Sequence, residues 1–341
     1  MVNLLPVASG KGGVGKSSFA VNLAVALAQK GKSVVLADLD FGGANLHTLL
    51  GLKNNHSGLG NFIYRQTSDF SSLLQDTGIE NLSFIAGDCL YPGTANMDSP
   101  SKKRIIKALN SLEADYAILD LGAGTTYNTL DFFLLTKNSI IVTTPELTSV
   151  LNAYSFLKAA AFRFVMRQFK AKSEERLFIN DYLKNSVSGT EAGFLDLLNQ
   201  LESKFESAKP VKDELLMFRP QIVMNQAQTS DDIQMANRLR SLISGKLGIS
   251  VDFVGLLQKD EQVSFSIALR KPLALANPGC KFVQGVNMSA GRIINHTYYY
   301  NNLNSFEDEQ EIVSENTDLE ELKQEFSSLS NENLSKTMIE Y

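Results

Sequence analysis

Seven short apolar runs recur along the chain, at residues 4–8, 34–37, 82–86, 116–121, 140–143, 222–224 and 253–257. Several are apolar at consecutive positions, the pattern of a strand whose two faces are both covered. Stretches such as 18–29 and 103–112 lie between them and are long enough for helical crossovers. Repeated strand–helix–strand units predict an α/β fold: an open, mostly parallel, twisted sheet flanked by helices. Pro6 donates no ladder bond, so it is expected near the start of its strand. With 341 residues, 44% hydrophobic and 20% charged, the chain can bury a sizeable core as a soluble globular protein. No run approaches about 18 apolar residues, so no membrane-spanning helix is expected. The first residues carry neither a basic start nor a cleavage site, which points to the cytoplasm.

Two regions break the strand–helix rhythm. Residues 170–216 are polar and helix-prone and read as a helical insertion on one face of a domain spanning 1–304. Residues 305–341 form an acidic C-terminal tail. Eleven acidic and two basic side chains give it a charge of −9, so the body carries +4 of the whole-chain −5. Leu319, Leu322, Phe326 and Leu329 recur at helical spacing, which predicts one short helix in a tail otherwise expected to be partly disordered. The two cysteines, Cys89 and Cys280, and the three histidines, His47, His56 and His296, show no metal-ligand spacing.

The chemistry concentrates at Gly10, Lys11, Gly12, Gly13, Val14, Gly15, Lys16 and Ser17, which fit G-x-x-x-x-G-K-[ST] between a predicted strand and a predicted helix. Glycines let backbone amides converge on phosphate oxygens, and the helix N-terminus adds positive potential. Lys16 would reach the outer phosphates, and the Ser17 hydroxyl would ligate Mg²⁺. Ser18 completes the nucleotide-binding set at the helix start. A second lysine, Lys11, sits inside the loop.

Here the chain resembles the MinD/ParA family of P-loop NTPases, whose deviant Walker A loop reads xKGGxGK[ST] and here reads GKGGVGKSS. The resemblance covers about residues 1–300 apart from the insertion. It implies a MinD-like fold of the wider SIMIBI group, with ATP and Mg²⁺ as cofactors. It also implies that Lys11 crosses to the partner's nucleotide in an ATP-bound homodimer. In the segment VVLADLDFGGANLHTLLG, Asp40 would position the hydrolytic water, with Asp38 acting close to it. Both are placed at a strand end, where residues two apart point the same way; the alternative is a pair of strand-end caps. YAILDLGAGT puts Asp120 at the Walker B position, where it contacts Mg²⁺ through water. The implied metal set is therefore Ser17, Asp38, Asp40 and Asp120, and the catalytic set Lys11, Lys16 and Asp40. Asn225, after a predicted strand, stands where relatives read the adenine edge; a turn residue would look the same.

The D-x-G-x-x-N form of Asp40 to Asn45, together with TPELTSVLNAY, is similar to MinD and to the flagellar-number regulators FlhG and FleN. The implied function is a slowly hydrolysing ATPase. It would act as a dimerisation switch in the placement or number of a cellular assembly, with a protein partner at the dimer face. A DNA-associated partition ATPase and an iron–sulfur carrier remain as alternatives, although DFGGAN departs from the partition branch and leaves nucleic acid outside the expected partners. The acidic tail would be repelled by anionic lipid, so any peripheral attachment at the inner face of the membrane must use another surface. One candidate is the helix carrying Arg163, Arg167 and Lys170; a core-packed helix with a solvated basic face fits the same pattern.

Overall fold

The computed structural model describes residues 2–53, 56–87, 97–186, 193–302 and 317–337. Cys89 and the stretch 303–316 of the tail lie outside them. Eight strands form one sheet in the order β3-β4-β2-β5-β1-β6-β7-β8. The strands are β1 (Asn3–Ala8), β2 (Val34–Leu39), β3 (Leu74–Asp76), β4 (Leu82–Ile85), β5 (Tyr116–Leu121), β6 (Ile140–Thr143), β7 (Gln221–Ala227) and β8 (Asp252–Gln258). Among the described residues only the β3–β4 pair is antiparallel. Every residue of β2, β5, β6 and β8 is buried, which is why each of those strands is apolar over most of its length, with buried polar exceptions such as Asp38, Asp120, Asp252 and Gln258.

Pro6 is a correction. It sits in mid-strand, paired with Leu119 of β5, and not near the strand's start. The β1–β6 ladder contains only Val7 and Ala8, so the missing donor at Pro6 breaks no bond on that side.

Two apolar cores lie on the two faces. One is closed by α1 (Lys16–Gln29), a short α12 (Leu273–Ala276) and α13 (Lys281–Asn302). The other is closed mainly by α4 (Ser99–Asn110), α5 (Tyr127–Phe133), α6 (Leu147–Gln168) and α10 (Ile233–Leu247). The polar stretch after α6 folds as α7 (Glu174–Ser186), α8 (Phe194–Lys204) and α9 (Lys209–Leu216), and Phe194, Leu197, Leu201 and Leu215 pack into this second core.

The final helix, α14 (Thr317–Thr337), lies against β8 and α10. Leu319, Leu322, Phe326 and Leu329 are buried there, as their spacing predicts. Asp318 pairs with Arg240 and accepts the Phe253 N–H at 2.9 Å, and Glu325 pairs with Arg292. Acidic side chains of the tail thus neutralise basic ones of the body.

The basic face of α6 is mostly used inside the protein. Arg163 donates from Nε and Nη2 to both oxygens of Asp131 on α5, at 2.7 and 2.9 Å, and Lys102 pairs with the same carboxylate. Arg167 approaches the Asp131 carbonyl at 3.5 Å. Burial pushes the Asp131 carboxyl up, but its bonds from Arg163 and Lys102 prevail and hold it below the usual carboxylate range.

Candidate functional site

Parallel strands deliver their loops to one edge, and the motif residues gather at the carboxyl ends of β1, β2, β5, β6 and β7. The loop from Ser9 to Gly15 joins β1 to α1. Gly13 and Gly15 adopt φ of +82° and +85°, a left-handed conformation that side chains resist. A Cβ on Gly10 would stand 2.2 Å from the Asn152 carbonyl oxygen on α6, so this glycine is required by close approach. At Gly12 and Gly13 the same construction meets nothing within 4 Å, which leaves their faces of the loop open.

Lys16 is only 7% exposed, and its Nζ lies 2.6 Å from Asp120 Oδ1. Ser17 Oγ donates to Asp120 Oδ2 at 2.7 Å. Asp120 on β5 pairs in register with Asp38 on β2. Burial pushes the Asp120 carboxyl above the ordinary range against the pull of Lys16 and Ser17. Burial, then repulsion from Asp120, pushes Asp38 up to about 7. Asp38 Oδ1 accepts the Asp40 N–H and Oδ2 the Leu46 N–H, both at 3.1 Å, so this side chain braces the loop after β2.

β2 ends at Leu39, so Asp40 stands just past the strand, where its carbonyl accepts the Gly43 N–H at 3.0 Å and opens the following turn. Its carboxylate lies beside the loop after β5; a Cβ on Gly122 would be 3.1 Å from Asp40 Oδ1. The structure therefore joins Ser17 and Asp120 directly, sets Asp40 close by, and commits both oxygens of Asp38 to backbone amides.

Among the described residues no three His, Cys, Asp or Glu side chains converge as a metal cage. Mg²⁺ does not call for one, since it is held by one or two protein groups together with water and substrate phosphates. A hydroxyl and a carboxylate in contact beside a glycine cradle fit that role. The hydroxyls of Ser9, Thr143 and Thr144, at the ends of β1 and β6, are buried without a hydrogen-bond partner. Polar groups left so at the edge of the loop are consistent with a site built for a polar ligand.

Lys11 stands apart. Its side chain is 47% exposed and 3.9 Å from Glu146, the residue that precedes α6. Asn225 is buried and donates from Nδ2 to the Val14 carbonyl at 2.8 Å. Beside it lies a cavity of about 430 Å³, lined in part by Gln226, Gln258, Lys259, Phe265 and Phe282. Roomier hollows of about 540 and 700 Å³ lie by Glu113, remote from the loop. Sequence reasoning named Asn225 but passed over Gln226, whose Nε2 donates to the Gly13 carbonyl at 3.3 Å.

Comparison with known proteins agrees with this geometry. The ParA family model, described as NUBPL iron-transfer P-loop NTPase, matches residues 1–165. The septum site-determining protein MinD of Helicobacter pylori is 33% identical over 153 residues, 44% of this chain and 56% of that protein. The flagellum site-determining protein YlxH of the same organism is 30% identical over 203 residues, 55% of this chain and 60% of that one. The chain thus spans less than two thirds of either relative. Among solved structures, MinD from Pyrococcus horikoshii complexed with Mg-ADP has a TM-score of 0.58 at 18% identity, covering 86% of this chain and 96% of that one. With its glycine loop, buried lysine and Asp120-tipped strand in this arrangement, the first half of the chain is similar in sequence to the ParA and MinD P-loop NTPases, and the chain shares the fold of MinD.

Proposed function

We propose that the chain binds ATP with Mg²⁺, hydrolyses it slowly, and uses the bound triphosphate to hold two copies together as a switch in the placement or number of a cellular assembly such as the flagellum. The observation that carries this reading is the contact of Lys16 and Ser17 with Asp120 at the mouth of an open glycine cradle. Gly10, Gly12, Gly13, Val14 and Gly15 would present backbone amides to the phosphates, with Lys16 on the outer phosphates and Ser17 and Ser18 at the helix start. Ser17 and Asp120 would hold Mg²⁺, whose charge would offset that of the β- and γ-phosphate oxygens. Asp40 would orient the water that attacks the γ-phosphorus. The bond from the γ-phosphorus to the bridging oxygen would break, the attacking water would give up a proton to the phosphate formed or to solvent, and ADP and phosphate would leave. Positioning and charge neutralisation supply most of the rate.

The dimer face is supported by what surrounds Lys11. Tyr127, Leu147 and Leu151 are 65%, 62% and 48% exposed at the starts of α5 and α6, an apolar rim on the edge that bears the loop. Among the described residues Lys11 makes one ion pair, a long, exposed contact to Glu146, and it would reach a second copy, where it would stabilise charge on the transferring phosphoryl group. A protein partner would bind the surface that forms in the dimer. We place the protein in the cytoplasm, with any membrane contact peripheral; no helix among the described residues is long and apolar enough to cross a bilayer.

Sizing by light scattering tests the switch. Monomer is expected with ADP, partial dimer with ATP, and a trapped dimer with ATP and Asp40→Ala, while Lys11→Ala still binds ATP but neither dimerises nor turns over. One size under all these conditions defeats the reading.

The iron-transfer description of the matching family model motivates a second reading, with an iron–sulfur cluster as cargo. Cys280 gives it no support. It is 6% exposed within the core beneath α13, and burial pushes its thiol up to about 11, far from the thiolate that binds iron. In a Cys89→Ser background the thiol of Cys280 is expected to resist iodoacetamide at pH 8 until denaturant is added. Prompt alkylation of the folded protein would reopen the iron reading.

A further inference from the structure

β7 carries an irregularity where it passes the phosphate loop. Met224 pairs with Leu256 and Ala227 with Gln258, so three steps along β7 face two along β8. One residue is extra, which is a β-bulge. Within it Gln226 adopts φ of +59°, a left-handed conformation that a residue with a Cβ rarely enters. In a regular strand neighbouring side chains point to opposite faces. Here Asn225 and Gln226 both turn to the same loop: Asn225 Nδ2 donates to the Val14 carbonyl at 2.8 Å and Gln226 Nε2 to the Gly13 carbonyl at 3.3 Å. The fit against the loop is close. A Cβ on Gly15 would lie 2.3 Å from Asn225 Nδ2, so Gly15 admits the clamp as well as the left-handed turn.

We propose that Asn225 and Gln226 are positioning residues that clamp the phosphate loop, holding the carbonyls of Gly13 and Val14 outward so that the loop's N–H groups face the phosphates. The proposal rests on the nucleotide reading above and changes the part given to Asn225, whose donor is taken by the loop and not left to read a base. A loop ordered in advance does not lose that freedom when phosphate arrives. The clamp acts alike on the bound substrate and the transition state, so its loss should raise KM and leave kcat at saturation nearly unchanged.

The test compares two probes, Mg-ATP and Mg-tripolyphosphate, which shares the phosphates but has no base. Gln226 is part-exposed, so Gln226→Glu, an isostere that sets an acceptor against the Gly13 carbonyl, should fold as the wild type does; its melting curve checks this. Gln226→Ala removes the bond without repulsion, and Asn225→Ala probes the buried member. Calorimetry is expected to show both Gln226 variants weakening both probes by the same factor, roughly tenfold for Gln226→Glu and less for Gln226→Ala. Asn225→Ala should follow the same rule, with kcat at saturating ATP within about twofold for the Gln226 pair. Loss of ATP affinity with tripolyphosphate binding intact would mean that these side chains read the base, and the clamp is then wrong. Unchanged affinity for both probes in the Gln226 variants overturns it equally. A wild type that takes up neither probe removes the nucleotide reading and the clamp with it, and the wild-type titration alone separates that failure from the other two.

Discussion

Lys16→Ala is expected to weaken Mg-ATP binding at least a hundredfold. The lysine is nearly inaccessible to solvent and sits in a charge-assisted bond of 2.6 Å to a carboxylate that is itself 1% exposed. In such a setting water cannot replace a missing cation. Truncating one partner of a buried, hydrogen-bonded charge pair costs about 2–5 kcal/mol, and everything above about 2.8 kcal/mol, most of that range, corresponds to a hundredfold or more in affinity. The phosphates would lose their most buried cation, and Asp120 would lose the lysine that faces it. Ser17 would still donate to Asp120, so the loop keeps one of its two ties to β5. The measurement is calorimetric titration of Mg-ATP, with circular dichroism to verify the fold. An affinity within about threefold of wild type would show that the phosphates lie elsewhere.

What the sequence discloses of this site depends on how far apart the cooperating residues lie in the chain. The phosphate loop is contiguous, so its glycines, Lys16 and Ser17 can be read as one pattern between strand and helix. β5 and β6 are bounded correctly by their apolar runs because every residue in them is buried. β3 gives no such signal: three residues, Leu74, Gln75 and Asp76, form a half-exposed edge strand with no run to detect. Pro6 misleads because a rule about central strands takes no account of where a neighbouring ladder begins. Asp38 and Asp40 look alike at a spacing of two, but the strand ends between them and sends one to the backbone and the other towards Gly122. The partnership of Asn225 and Gln226 is hidden for a related reason. Alternation assigns neighbouring side chains to opposite faces, and only the bulge brings both onto the loop. Arg163 and Arg167 suggest a surface because their partner, Asp131, lies 32 residues before Arg163 and carries no motif of its own.

Asp131→Ala should be strongly destabilising. One largely buried carboxylate receives two bonds from Arg163 and one from Lys102, and the side chains of those cations are only 21% and 14% exposed. Removing the anion leaves two positive charges close together with little water to solvate them. Breaking a buried ion pair from one side costs about 3–5 kcal/mol, mostly as the penalty of the unpaired partner. Arg163 retains a contact over the Tyr127 ring, 4.7 Å from its centroid, but that ring is largely exposed and offers a cation about 1 kcal/mol at most. The complementary change should hurt less. Arg163→Met keeps the aliphatic packing against α5 and leaves Asp131 paired with Lys102, so the carboxylate is never orphaned. Urea unfolding of the three proteins decides the matter: the midpoint should fall far more for Asp131→Ala than for Arg163→Met, with similar m-values. Equal losses would mean that the site contributes through packing, and that the basic face of α6 does not depend on Asp131 to be held against α5.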